Sequence, residues 1–257
     1  MVLGINKTFL STLAMGGYIV LLLGSAGSPQ HNAPVETLKI GNYDFTPSPI
    51  EKPNSAGITF ALVNPNFISG FKHSEVQVFK SFVKGMQGDF EELLVARGYA
   101  LRGPFPSRDE MVYSDKEQSD LALTVGVDID IQEATPRHWV QVFSLSEQKP
   151  YRYVGTLVLS GKVNLEVFEP TTGEKLQVKS ISLPQINVDV KSVEAYYLTG
   201  SLGLPIQDVG ISNPLTSALE GYYKTIMQTA WGHLDVNEMR VLVKQSKQIK
   251  GKANFKR

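Results

Sequence analysis

The chain contains no cysteine, which removes disulfides, thiolate metal sites and thiol nucleophiles together. Histidine is scarce as well. The four present, His31, His73, His138 and His233, lie far apart and make no metal-ligand spacing. Neither sign of charge is in surplus, with 25 basic and 25 acidic residues, so nothing drives the protein generally toward nucleic acid or an anionic membrane. No phosphate loop, dinucleotide fingerprint or internal repeat occurs, and no serine stands in a recognisable motif with histidine and an acid. These absences give the expectation of a non-enzymatic protein with no cofactor and no metal.

What the chain does have begins with its leader. Lys7 is followed by 17 uncharged residues, Thr8 to Gly24, with Tyr18 to Leu23 as the most apolar stretch. Ser25, Ala26, Gly27, Ser28 and Pro29 then supply a small, turn-forming exit. A positive start, a short apolar core and a small-residue exit read as a secretory signal peptide over residues 1–26. Seventeen residues also reach the lower limit for spanning a bilayer, so a retained anchor is the alternative. The order Leu22, Leu23, Gly24 is that of a lipoprotein signal, but Ser25 stands where the lipid-accepting cysteine would be.

Removal of the leader leaves about 230 residues, enough for one large domain or two small ones. An apolar content of 42% against 19% charged residues is enough to build a core. Residues 27–57 hold Pro34, Pro47, Pro49 and Pro53 without helical period and read as an extended or mobile Pro-rich arm. Ile58 to Val63 reads as a strand. A helix follows, with Ser74 and Gln77 matching a capping box and Phe79, Phe82, Val83, Met86, Phe90, Leu93 and Leu94 on one face. Gly98 is placed to end it, and Gly85 and Gly88 inside it lower its stability unless a neighbour packs close.

Tyr99 to Leu101 then reads as a strand, Arg102 to Ser107 as a Pro-interrupted loop and Met111 to Tyr113 as a short edge strand. Leu121, Leu123, Val125, Val127, Ile129 and Ile131 alternate over eleven residues, the clearest strand signal in the chain. Tyr153 to Phe168 and Leu176 to Val190 form a hairpin across the Pro170–Gly173 turn, with Gly155 and Gly161 as bulge positions. Lys191 to Ser212 is a long connection. Asn213 and Pro214 suit an N-cap followed by the first helical residue, with Leu215, Leu219, Tyr222, Ile226 and Ala230 as the buried stripe. Asp235 and Glu238 start a further helical set to about Ile249, and Arg240 to Arg257 carries seven basic residues and no acidic ones. The expected fold is α+β over residues 58–257: a mainly antiparallel sheet, two long helices on one face, then a basic tail. That tail suits either the helix macrodipole or a lipid or acidic surface.

Several segments carry a resemblance. Arg97, Gly98 and Tyr99 at the helix end are one, and the Glu169, Pro170, Thr171, Thr172, Gly173, Glu174 turn is another. The closing Ile249, Lys250, Gly251, Lys252 and the order of elements complete it. The chain from about Ile58 to Arg257 resembles the neuraminyllactose-binding haemagglutinin family, outer-membrane and flagellar-sheath lipoproteins of helicobacters. The resemblance implies an exported protein of the periplasm or outer membrane of a Gram-negative bacterium, with sialylated glycans as the ligand class. The family's basic hexapeptide Lys-Arg-Thr-Ile-Gln-Lys is replaced here by Pro136, Arg137, His138, Trp139, Val140 and Gln141. Only Arg137 and Gln141 match it, with a one-residue gap.

The candidate glycan-binding residues are therefore Arg137, His138, Trp139 and Gln141, beside Tyr151, Arg152 and Tyr153. Flat aromatic rings suit the apolar face of a sugar, and planar donors such as arginine suit a carboxylate. The plainer reading makes His138 to Phe143 a strand continuation whose aromatics cover a sheet edge. Asp128 and Asp130 share a face and could bind calcium or do acid–base work, although alternation alone calls for polar residues there. Two functions stand: a surface adhesin for sialylated glycans, or a structural subunit of an envelope-spanning flagellar or secretion-system complex.

Overall fold

Twelve elements follow one another in the computed structural model, which describes residues 36–68, 70–134, 138–145, 147–197 and 203–254. The leader and Arg137 lie outside the described residues. In chain order the elements are β1 (Thr59–Val63), β2 (Asn66–Phe67), α1 (Gln77–Ala96), β3 (Ala100–Phe105), α2 (Tyr113–Gln118) and β4 (Leu121–Glu133). Then come β5 (His138–Gln141), β6 (Pro150–Phe168), β7 (Lys175–Lys191), β8 (Tyr196–Tyr197), α3 (Val209–His233) and α4 (Val236–Asn254).

All strands belong to one sheet. β1 and β2 share one edge of β4, β6 takes the other edge, and β7 pairs with β6 through a long hairpin. The sheet is mostly antiparallel, as expected, but it is mixed, with a parallel part at β1, β2 and β3. β1 is parallel to both β3 and β4, because the chain crosses over through α1 before returning as β3. The β4–β6–β7 part is antiparallel. β3 runs on through Pro104, which had suggested a loop. It pairs only with β1, and an edge strand tolerates the missing N–H.

The alternating residues of β4 face the helices. Leu121, Leu123, Val125 and Val127 are fully buried with Phe79, Phe82, Phe90 and Leu94 of α1 and Leu215, Leu219 and Ile226 of α3. Each such side chain contributes about 1.5–3 kcal/mol by leaving water. A smaller cluster, Ala61, Val63, Met111, Ala122 and Phe168, fills the opposite face. Met111 to Tyr113 is no edge strand: Met111 is buried there and Tyr113 opens α2.

Among the described residues three long helices are present where two were expected, together with the short α2. The helical path breaks after His233, and the Asp235 carboxylate accepts hydrogen bonds from the N–H groups of Asn237 and Glu238 to start α4. α4 runs past Ile249 to Asn254, so much of the expected tail is helical. Helix α1 starts at Gln77 without a side-chain cap, so the Ser74–Gln77 capping box does not form. Its end is a Schellman motif: Gly98 has φ +77°, its N–H reaches the Val95 carbonyl, and the Tyr99 N–H reaches Leu94. Helix α3 starts five residues before Pro214, at Val209, capped by the Asp208 carboxylate.

Residues 36–57 have no strand or helix and lie along α1 and α3. Asn213 grips this segment from both sides, accepting from the Lys39 N–H at 2.6 Å and donating to the Thr37 carbonyl at 2.9 Å. Glu220 takes the Lys39 ammonium at 2.6 Å and the Asn42 N–H at 2.7 Å. Tyr43 meets Phe82 edge-on and Tyr223 at a tilt, with ring centroids 5.5 and 5.2 Å away. Gly85 makes this seat possible, since a β-carbon there would lie 2.5 Å from the Tyr43 β-carbon. No helix among the described residues is long and apolar enough to cross a membrane.

Candidate functional site

The expected glycan site falls at one end of the sheet, where β5 follows β4 along the same edge of β6. Ala134 still donates its N–H to Thr156, and β5 then takes up the same edge of β6 from His138. The register sets Trp139 opposite Tyr153 and Gln141 opposite Tyr151. On the other side of β6, β8 sets Tyr196 against Tyr151 and Tyr197 against Pro150. Period-two alternation then places Trp139, Gln141, Tyr151, Tyr153 and Tyr196 on one face.

Trp139 is half-buried in this group. Its ring meets Tyr153 and Tyr196 edge-on, with centroids 5.5 and 6.1 Å away. Such contacts are worth about 0.5–1.5 kcal/mol beyond burial. The two tyrosines are themselves anchored. Tyr153 is buried, with its hydroxyl on Glu133 at 3.2 Å and its N–H on the Ser192 hydroxyl at 2.9 Å. The Tyr196 hydroxyl donates to Asp208 at 3.0 Å, and burial together with that carboxylate pushes its pKa up.

Asp208 holds this end together. Its carboxylate caps α3 and also accepts from the N–H groups of Val193 and Glu194 at 2.8 and 2.9 Å. The part of the long connection before residue 198 is thus tied to a helix start.

Of the expected site residues, the structure brings Trp139 and Gln141 onto one face. Trp139 is engaged in packing and Gln141 is exposed. His138 contributes its backbone to the ladder opposite Val154. Arg152 lies opposite Val140, out of phase with Trp139. Beyond β5 the surface turns apolar: Phe143 and Leu145 are 87% and 95% exposed, and Val140 and Tyr197 are about half exposed. The sequence places Val140 and Phe143 in a strand continuation, although β5 ends at Gln141, and singles out neither Leu145 nor Tyr197. The signal at Phe143 and Leu145 was two large apolar residues alternating inside an otherwise polar loop.

Asp128 and Asp130 sit in β4 on the face away from the helices. Asp128 is 3.9 Å from the Lys162 ammonium, and Asp130 accepts from the Gln132 amide at 2.6 Å. Among the described residues no group of three or more histidine, aspartate and glutamate side chains is arranged to hold a metal ion.

A buried acid at the hairpin turn was also overlooked. Glu169 is fully buried and accepts from the N–H groups of Thr171 and Thr172 at 3.0 and 2.5 Å, with the Lys250 ammonium 3.7 Å away. Burial alone would raise its pKa, but these donors hold it below the usual glutamate value. The same ammonium reaches the carbonyls of Lys116 and Ser119 at the end of α2.

No family model matches the chain. Two neuraminyllactose-binding haemagglutinins of Helicobacter pylori are 26% and 25% identical to it over 176 residues, or 64% of the chain. The match spans 66% of those relatives' own length. A crystal structure of a neuraminyllactose-binding haemagglutinin homologue from the same organism superposes with a TM-score of 0.56 at 16% identity. It covers 81% of this chain and 98% of the other. The chain is thus similar, in sequence over its matched part and in fold over most of its length, to the neuraminyllactose-binding haemagglutinins of Helicobacter pylori.

Proposed function

We propose that this protein is a non-enzymatic component of the bacterial cell envelope, exported by its leader, that binds a target through the β5–β6–β8 end of the sheet. Similarity to proteins named haemagglutinins carries the envelope placement, since agglutinating cells requires display at a cell surface. The same name supplies the ligand class, a sialylated glycan. Gln141 and Tyr151, opposite each other and not sealed in the core, are the contacts for it. Trp139 serves as their support.

One observation favours a second reading, a structural subunit of an envelope assembly. Phe143 and Leu145 are almost wholly exposed, which suits burial against another protein better than contact with a hydroxyl-rich sugar.

Titration with sialyllactose distinguishes the two. On the glycan reading the protein binds the sugar, and Gln141→Ala with Tyr151→Ala weakens binding at least tenfold, about 1.4 kcal/mol, at unchanged melting temperature. On the assembly reading sialyllactose has no effect at millimolar concentration. A photo-crosslinker at Phe143 or Leu145 then captures an envelope protein in intact cells. Failure of both experiments removes this end of the sheet from consideration.

A further inference from the structure

A second surface, separate from the β5 end, is set by an incomplete strand pairing. β4 has a full partner along one edge, where β6 matches it from Ala122 to Glu133. The other edge is paired only at residues 121–123 by β1 and at residues 126–127 by β2. The last backbone bond there is the Ile68 N–H to the Val127 carbonyl, 2.9 Å. The N–H and C=O of one residue point the same way, and the direction alternates along a strand. Ile129 and Ile131 therefore aim their backbone groups outward at this edge, where no strand among the described residues meets them.

A cleft of about 420 Å³ adjoins it, between Ile68, Gly70, Phe71, Lys72 and His73 on one wall and residues 128–131 on the other. Four consecutive strand residues line it, so the cleft runs along the edge and not over one face. Only a solvated or an extended-chain partner satisfies backbone groups arranged this way.

We propose that the β4 edge at residues 128–131 is a strand-addition site for an extended segment of a partner protein with alternating basic and apolar side chains. The alternation follows from what flanks the edge. On the helix side an added strand meets half-buried Ile131, the 40%-exposed Ile68 and half-buried Phe71, which take apolar side chains, while the Ile129 side chain is already buried in the core. On the other side it meets the carboxylates of Asp128 and Asp130, which take lysine or arginine. Among the described residues Asp128 has Lys162 at 3.9 Å and Asp130 has the Gln132 amide at 2.6 Å, with Lys72 and His73 on the facing wall of the cleft.

The test uses the intact protein and a synthetic peptide, acetyl-Lys-Val-Lys-Val-Lys-Val-amide. Binding is read by titration, and hydrogen exchange is followed at the Ile129 and Ile131 amides. The expected result is binding that slows exchange at both amides. N-methylating one alternate set of peptide amides abolishes binding, and methylating the other set leaves it. Asp128→Asn with Asp130→Asn weakens binding at least tenfold at unchanged melting temperature. No binding at millimolar peptide, or equal tolerance of both methylation sets, overturns the proposal. So does protection of Ile129 and Ile131 that rises with protein concentration alone, which would assign the edge to a second copy of this chain. Sialyllactose binding bears on the other surface and leaves this outcome untouched.

Discussion

The Tyr223 hydroxyl of α3 donates a 2.7 Å hydrogen bond to the buried carboxylate of Asp89 in α1, directly beside the seat of Tyr43. Burial raises the Asp89 pKa, the tyrosine bond and the Phe45 N–H lower it, and the nearby Asp44 and Glu92 raise it, with a net upward shift. The unfolded carboxyl therefore loses its proton at a lower pH than the folded one. Between those two points stability falls as pH rises, and the full cost is present above the folded value. Tyr223→Phe removes a donor from a buried anion and should cost about 1–3 kcal/mol at neutral pH. In mild acid, where the carboxyl is neutral, the cost should shrink. Urea denaturation at several pH values measures this, and a cost independent of pH would show that the hydroxyl does not serve the anion.

Gly85 and Gly88 form an internal control in α1. Replacing a helical glycine by alanine ordinarily stabilises by about 0.5–1 kcal/mol. Gly88 is exposed, and a β-carbon added there would meet nothing within 4 Å, so Gly88→Ala should show that gain. At Gly85 the new carbon would meet Tyr43 at 2.5 Å, and Gly85→Ala should lose stability and displace residues 39–45. Thermal melts of the two variants should move in opposite directions.

Leu219 is fully buried between α3 and the sheet. Leu219→Ala should cost roughly 2–5 kcal/mol, the usual range for a core leucine that leaves a cavity. Chemical denaturation with an unchanged slope would place the loss in the folded state. An unchanged midpoint would mean that the α3 stripe is not part of the core.

Lys250 gives a pH-dependent test at the other end of the molecule. Lys250→Ala removes the cation beside buried Glu169 and the donor to the α2 carbonyls, and should cost about 1–2 kcal/mol at neutral pH. The folded Glu169 pKa is depressed, so its contribution is present above the ordinary glutamate value and fades as pH falls through the folded value. The difference between variant and parent should narrow over the same acid range. Deleting residues 250–257 should therefore destabilise the domain.

Much of the fold was legible because its causes are local. The Leu121–Ile131 alternation, the Gly98 stop and the Pro170–Gly173 turn each carry their reason within a few residues, and each element lies where that pattern placed it. Long-range causes were not legible. Asn213 and Pro214 read as a helix start because asparagine before proline is common there. Asn213 instead holds the segment at Thr37 and Lys39, 176 and 174 residues away, while Asp208 caps the helix. Pro104 read as a loop because a sequence does not say which strand is outermost. At the candidate site, the aromatics were visible as residues near a loop. That Trp139 packs against Tyr153 and Tyr196 depends on the pairing register of β5, β6 and β8, which only the assembled sheet fixes.

The seat of Tyr43 bears on the order in which the molecule is assembled. Thr37, Lys39 and Asn42 find their partners in α3, at separations of 174 to 181 residues. A chain emerging from its N-terminus has made Tyr43, Gly85 and Phe82 long before Asn213 and Glu220 exist. Until α3 arrives the notch at Gly85 has only one wall, and the tyrosine that fills it has only its contact with Phe82 of α1. Closing so long a loop is slow compared with local helix formation, so this contact is among the last to form. A nascent chain therefore passes through a stage with an apolar notch and an unseated aromatic both open to its surroundings. That stage, more than the finished protein, is where a folding helper would find something to hold.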